Sequence, residues 1–369
     1  MAEVETNGTI AKIETNIAEA TQKRWFYVAR SPAGIVSKGN AESPSSFSEI
    51  LGSAGIAWVD YVAQDADFDK EAVTAATQLG FSEQLISSFA GETYLHYQDF
   101  DNEIWMRLPS IQVRQLVVKA YPFLLLLRNK LILSVHPLNV DRRFIRLRRY
   151  AEAILKKIPI NVESVDKLTM LLTRIIDENN DRNFEHLRRI EERGDELNRS
   201  MTDPNTQRAK LGPEIYQMKH ALIVYLDALW DSVDVLHTLR YGDAELITDD
   251  QKLLDKLGIL AEDVNRQIGL AEHMSEVLAS GLEVLQSLYN NQLQNLNNRL
   301  ALLLTYLTII GTAVLVPNTL ATMLGNTVFD IGPGDLGWYL ALMIGSTIVA
   351  TGLVYWWVKK RGWIPKKMD

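Results

Sequence analysis

The last seventy residues hold two uninterrupted apolar runs. Leu300 to Leu324 contains no charged residue in 25 positions, and Trp338 to Val358 contains none in 21. At a helical rise of about 1.5 Å, 21 residues reach roughly 31 Å, the thickness of a bilayer's hydrocarbon core. Both runs predict transmembrane helices; two buried core helices are the competing reading, and those ordinarily keep a polar face. Upstream, a heptad rhythm places Leu257, Val264, Ala271, Leu278, Leu285 and Gln292 in one series. Ala261, Ile268, Ser275, Leu282, Tyr289, Leu296 and Leu303 form the other. No proline interrupts 247–316, so one helix of roughly 70 residues, about 100 Å, is expected to run from the aqueous phase into the bilayer. Small and polar seam residues favour a wide bundle with a loosely filled lumen. Packing of the same helix on its own body is the alternative.

Toward the N-terminus the pattern changes period. Short β-rich runs occur at Trp25–Ala29, Ile56–Ala63, Thr93–Phe100, Ile104–Leu108, Leu116–Leu127 and Leu131–His136, with helical spacing near 69–90. Asp141 to Tyr241 reads as helical, with Leu211-Gly212-Pro213 separating two long helices. The mixed-sign stretch Asp177 to Arg199 reads as a solvated helix face. The expected organisation is a polar tail (1–23), a cytoplasmic α/β domain (24–140), a helical region (141–246) and a stalk helix continuing into the first span (247–324). An extracellular loop (325–337), a second span (338–358) and a basic tail (359–369) complete it.

Charge divides the chain in the same place. Residues 1–299 carry 33 basic and 43 acidic side chains, a net of −10, whereas 300–369 carry five and three, a net of +2. An acidic body argues against nucleic acid, whose phosphates need a basic face, and suits a cationic partner. The absence of cysteine excludes disulfides and thiolate metal sites. The six histidines lack the close spacing of a zinc site. Met1 to Gln22 has no apolar core of the kind a cleaved signal peptide needs. Lys359, Lys360, Arg361, Lys366 and Lys367 follow the second span, while the connecting loop holds only Asp330 and Asp335. The positive-inside rule then predicts a multi-pass protein of the cell membrane with both termini in the cytoplasm. A two-helix hairpin encloses no water, so any conduction requires several copies around an axis.

Candidate chemistry lies along the first span. Seven of the nine residues Asn290 to Asn298 are amides, whose carbonyls suit a cation or its hydration water and whose alternative role is hydrogen bonding between helices. Thr305, Thr308 and Thr312 share a helix face, as a weakly polar pore wall or as hydroxyls bonded back to their own backbone. Pro317 and Asn318 mark a kink or loosening. Asp330 and Asp335 either concentrate cations or belong to ordinary turn chemistry.

The stretch Leu307-Thr308-Ile309-Ile310, the downstream proline, the glycine/asparagine loop, the second span and the lysine-rich tail resemble the CorA family of divalent metal ion transporters. Trp58-Val59-Asp60, Leu79-Gly80-Phe81, Thr93–Arg107, Phe123–Asn129 and Leu131–His136 resemble that family's N-terminal α/β domain. The resemblance implies a homopentamer in the lipid bilayer that passes Mg2+, or Zn2+, Co2+ or Ni2+, with the cation also acting as a regulator. The family signature Gly-Met-Asn falls on Gly325, Asn326 and Thr327, so the asparagine is displaced and the methionine absent. The zinc-transporting branch, ZntB, also varies the middle residue but keeps the asparagine third. The family's upstream pore asparagine maps to Asn298 when aligned from Tyr289 and to Ala301 when aligned from Leu307. Family acids that bind a regulatory cation between subunits map to the start of the long helix, where Asp255 and Asp263 are candidates among Asp249, Asp250 and Glu262. Acids there also complement the helix dipole. The competing class is a non-conducting scaffold or cation sensor of the same fold. No phosphate loop, nucleophile elbow or paired His/acid motif points to an enzyme.

Overall fold

The computed structural model describes residues 24–91, 95–202, 208–242, 244–325 and 332–361. The chain divides into two compact units, Met1–Gly281 and Leu282–Asp369.

The first unit is built on a seven-stranded mixed sheet, ordered β2-β1-β3-β7-β6-β5-β4. The strands are β1 (Trp25–Arg30), β2 (Val36–Ala41), β3 (Ile56–Ala63), β4 (Tyr97–Asp99), β5 (Glu103–Arg114), β6 (Val117–Arg128) and β7 (Leu131–Pro137). Every neighbouring pair is antiparallel except β3 with β7. Short helices α1 (Ser48–Gly52), α2 (Phe68–Gln78) and α3 (Glu83–Gly91) interrupt the strands. Four helices follow: α4 (Asp141–Lys157), α5 (Ser164–Asn180), α6 (Asn183–Thr202) and α7 (Arg208–Tyr241).

Both faces of the sheet are covered, which is why β6 carries the continuous run Phe123–Leu127, buried throughout. Leu124 and Leu126 join Val59, Leu133, Val135 and Trp105 beneath α1, α2 and α3. Phe123 faces the other way and stacks on Phe144 of α4 at 4.7 Å between ring centroids. The edge strand β2, Val36-Ser-Lys-Gly-Asn-Ala, lacks the apolar alternation that marks a strand and is missed from sequence. Its pairing is recorded instead by Gly39, opposite Tyr27, where an added Cβ would stand 2.9 Å from the Tyr27 hydroxyl.

Three guanidinium groups fasten α4 to its surroundings. Arg30 Nη1 donates to the carbonyls of Leu155 and Ile158 at 2.7 and 2.5 Å, closing the C-terminal end of α4. Arg143 donates to the carbonyls of Ile111 and Asn179. Arg148 Nε reaches Asp60 at 2.5 Å, and its Nη2 donates to Asp141. Asp60 is fully buried and also accepts from the Ser134 hydroxyl, which itself accepts from Trp58 Nε1 at 2.9 Å. His136 Nε2 lies 3.3 Å from the same carboxylate. Burial alone would raise the Asp60 pKa, but Arg148, His136 and Ser134 outweigh it and hold the carboxyl well below the usual range.

The helical region departs from expectation at one point. Leu211-Gly212-Pro213 does not end a helix, since α7 runs from Arg208 through Pro213 to Tyr241. Five residues into the helix, the missing proline N–H forfeits a single bond near the end, where the cost is smallest. The next helix, α8 (Gln251–Leu324), begins at an N-cap in which Asp250 Oδ1 accepts from the Lys252 N–H at 2.9 Å. Within the first unit, Leu257, Ala261, Val264, Ile268, Ala271 and Leu278 are buried. The heptad seam there is covered by the chain's own body, with Met274 and Leu278 meeting Gly194 of α6 and Met218 of α7 around one cavity. The wide-bundle reading does not hold for this stretch. Gly258 leaves the space that Arg240 crosses, where a Cβ would stand 2.4 Å from Nη1.

In the second unit, α8 continues to Leu324 without breaking at Pro317, and α9 (Leu336–Lys360) follows a short turn. The most apolar 18-residue windows of the two helices have mean hydropathies of 2.1 and 1.6, and neither window is buried. The core-helix reading of these runs is therefore lost.

Two outcomes follow for stability. Asp60→Asn leaves the Arg148 guanidinium beside an uncharged amide in a buried site and is expected to cost about 3–5 kcal/mol, read from the urea midpoint of the detergent-solubilised protein. The second concerns His186, whose imidazole is pushed down to about 4 by burial and by the neighbouring Arg143. The unfolded chain then binds the extra proton first, so stability falls as pH drops from about 6.5 to about 4. Thermal midpoints across that window are expected to show the decline, and His186→Gln to flatten it.

Candidate functional site

The residues singled out along the first span all lie on α8. From Asn290 through Leu300 every residue is exposed in the single chain, including the whole amide run and Asn298. Polar side chains thus surround the helix on all sides immediately before the apolar segment begins.

The threonine hydroxyls are committed in one direction. Thr305 Oγ1 donates to the Ala301 carbonyl at 2.9 Å, Thr308 to Leu304 at 2.8 Å and Thr312 to Thr308 at 2.9 Å. Thr319 and Thr322 repeat the bond, to Leu315 and Asn318, at 2.8 and 2.7 Å. These back-bonds remove an unsatisfied donor from an apolar segment while leaving each hydroxyl oxygen free to accept. Thr319 and Thr322 were not among the sequence candidates. The seven-residue recurrence of Thr305, Thr312 and Thr319 is the signal that would have found Thr319, and Thr322 follows it at the three-residue spacing of Thr305 and Thr308. Asn318 itself is exposed.

The helix closes at Gly325, whose N–H donates to the Ala321 carbonyl at 2.9 Å and where a Cβ would meet that oxygen at 3.0 Å. Asn326, Thr327 and Asp330 lie outside the described residues. Asp335 is engaged as a cap. Its Oδ2 accepts from the Gly332 N–H at 3.1 Å, and its Oδ1 accepts from the Trp338 indole at 3.0 Å. Turn chemistry thus accounts for its geometry.

At the far end of α9 the basic residues lie over aromatic rings. Lys360 Nζ is 4.9 Å from the Trp356 ring centroid, and the Arg361 guanidinium is 5.4 Å from that of Trp357. Such pairs suit a headgroup region, where rings and cations can both be partly wet.

The two regulatory candidates do not converge within one chain. Asp255 Oδ1 accepts from Gln251 Nε2 at 3.0 Å and lies 3.8 Å from Arg240, whereas Asp263 pairs with Arg266 two turns further on. Asp263 does act on α5: burial raises the Asp177 carboxyl pKa, Arg174 lowers it, and the charges of Asp181 and Asp263 add to the rise. Among the described residues no group of three or more His, Asp or Glu side chains is placed to hold a metal. A divalent ion at either acid would need ligands from elsewhere.

The family model described as CorA-like Mg2+ transporter protein matches residues 53–360. No curated protein matches the chain. Among solved structures, the complete CorA magnesium transporter from Methanocaldococcus jannaschii is similar, with a TM-score of 0.65 at 17% identity, covering 92% of this chain and 99% of that one. The ZntB cytoplasmic domain from Vibrio parahaemolyticus RIMD 2210633 matches with a TM-score of 0.54 at 14% identity, covering 73% of this chain and 99% of that domain. At such identities the structural likeness speaks for the fold.

Proposed function

Because the chain belongs to the CorA-like Mg2+ transporter family, whose members move divalent cations, we propose that it conducts Mg2+ along the axis of a homopentamer. The observation that carries this reading is the bare surface of α8 and α9. No residue of their apolar windows is buried in the single chain, and lipid together with further copies would cover them. Five copies come from the family resemblance; the requirement for several comes from the inability of two helices to enclose water. In this arrangement α8 and α9 cross the membrane with both termini in the cytoplasm, as the basic end of α9 favours.

The conducting surface fits an ion that keeps its water. Mg2+ sheds its hydration shell reluctantly, so a path of neutral acceptors that hold the shell is more favourable than one of charged ligands. The amides of 290–298 and the free lone pairs of Thr305, Thr308 and Thr312 would supply such acceptors. Asn326 and Thr327 are assigned to the outer selectivity loop with Gly325, and Asp330 to attraction of cations toward it. The acidic body, net −10 over residues 1–299, raises the local cation concentration. Zn2+, Co2+ and Ni2+ remain competitors for the path. The altered signature at Gly325-Asn326-Thr327 favours the second reading, a cation-sensing scaffold that does not conduct.

Flux into proteoliposomes separates the two. Mg2+ uptake is expected from the parent, with a loss of about tenfold or more in Asn326→Ala, the effect of one missing hydrogen bond to a charged species. No uptake of Mg2+ or Zn2+ by a folded oligomer would establish the scaffold. Native mass spectrometry should count five copies. Regulation is read separately: millimolar Mg2+ is expected to raise the thermal midpoint of the parent oligomer. The doubly substituted Asp255→Asn, Asp263→Asn protein should lose most of that rise.

A further inference from the structure

Two adjoining cavities lie where β3 and β7 begin. The smaller, about 220 Å3, is lined by Arg30 and Ser31 at the end of β1, Lys130 in the β6–β7 turn, and Ser164 and Lys167 in the first turn of α5, with Ile158 among its apolar walls. No acidic side chain lines it, in a chain whose net charge is −8. Arg30 is 9% exposed, and its Nε is buried without a hydrogen-bond partner among the described residues. Its Nη1 is spent on the two backbone carbonyls at the end of α4. Neither Arg30, Lys130 nor Lys167 forms an ion pair with a described carboxylate. The Ser164 hydroxyl is likewise buried and unpartnered.

The first turn of α5 adds to this field. The helix has 17 residues, and its N-cap, Glu163, makes no side-chain cap, so the leading N–H groups are not claimed from within. The acids of that turn lie outside the cavity. Glu163 is exposed, and Asp166 accepts from the Thr248 hydroxyl. A buried guanidinium, two ammonium groups, two hydroxyls and a helix N-terminus around one cavity with no carboxylate in its lining form a receptor for an anion. We propose that the cavity binds a tetrahedral oxyanion of the phosphate class, borne by a small phosphorylated molecule. The larger cavity, about 850 Å3, accommodates the organic part. It shares Lys130, adds Arg128 and the serines Ser43, Ser45 and Ser48, and again has no acid in its lining. An anion held between Arg30 and Lys130 on the sheet and Lys167 on α5 ties the strands to the helical region, so its binding stabilises that junction by mass action.

The test uses the full-length protein in detergent at fixed ionic strength, with inorganic phosphate and AMP as probes and chloride as the blank. Calorimetry is expected to give saturable phosphate binding and a rise in thermal midpoint. The doubly substituted Lys130→Gln, Lys167→Gln protein should bind at least about tenfold more weakly, while Lys119→Gln, a cation outside both cavities, binds as the parent does. Lys130 is exposed and Lys167 half-buried, so an unchanged midpoint without phosphate verifies the fold. Tighter binding of AMP than of phosphate supports the two-cavity ligand, and equal affinity supports the oxyanion seat with free phosphate as its occupant. Absence of saturable phosphate binding, or equal binding by the double variant, overturns the proposal.

Discussion

A hydrocarbon medium offers no water to a peptide group or a hydroxyl, and the second unit is arranged around that fact. Both apolar segments are helices, the structure that satisfies its backbone from within. Even the side-chain donors obey the constraint, because Thr305, Thr308, Thr312, Thr319 and Thr322 all return their protons to carbonyls one turn back. Pro317 is tolerated for a related reason. It frees one carbonyl in a segment already rich in hydroxyl–carbonyl bonds, and α8 carries on to Leu324. What the two helices cannot satisfy alone is their unburied apolar surface, which calls for a covering the single chain does not supply.

The body answers a different demand, because most of its charges lie in water or are paired. The fully buried carboxylate is heavily compensated: Asp60 has Arg148, Ser134 and His136 around it. That carboxylate joins the parallel β3–β7 pair to α4, so the one parallel pairing in the sheet also carries a buried polar cluster that is costly to break. Most acids lie on the exterior, which is why the net negative charge of the chain coexists with a recess lined by cations and no acid where β3 and β7 begin.

How much of this was legible in the sequence depends on whether a residue's role is set by its neighbours in sequence or in space. The apolar runs at 300–324 and 338–358, the β3 span 56–63 and the helical period after Asp141 are local patterns, and they emerge almost to the residue. β2 was missed because an edge strand of Ser, Lys, Gly and Asn is defined by what it pairs with, and Tyr27 across from Gly39 is not a sequence signal. The proline at 213 was over-read because its cost depends on how far it lies from a helix end. Heptad spacing after Leu257 identified a buried seam but not its partner; single-sequence periodicity is the same whether the covering surface belongs to the chain's own α6 and α7 or to another copy. Asp335 illustrates the same limit, since its role in the turn before α9 is visible only with Gly332 and Trp338 in place.

The anchoring of α4 bears on how the body could respond to a ligand. Of the three arginines that hold it, only Arg148 faces carboxylates; Arg30 and Arg143 are buried against backbone carbonyls. A carbonyl dipole offsets less of a guanidinium charge than an acid does, and burial accordingly lowers the Arg143 pKa to about 10. The interface between sheet and helices therefore carries surplus positive charge at two places. Around Arg143 the chain places His186, Tyr225 and the compensating charge of Asp181. Around Arg30 the fold leaves a lined cavity instead. The two guanidinium groups thus differ in setting, Arg143 packed among helices and Arg30 bordering a cavity.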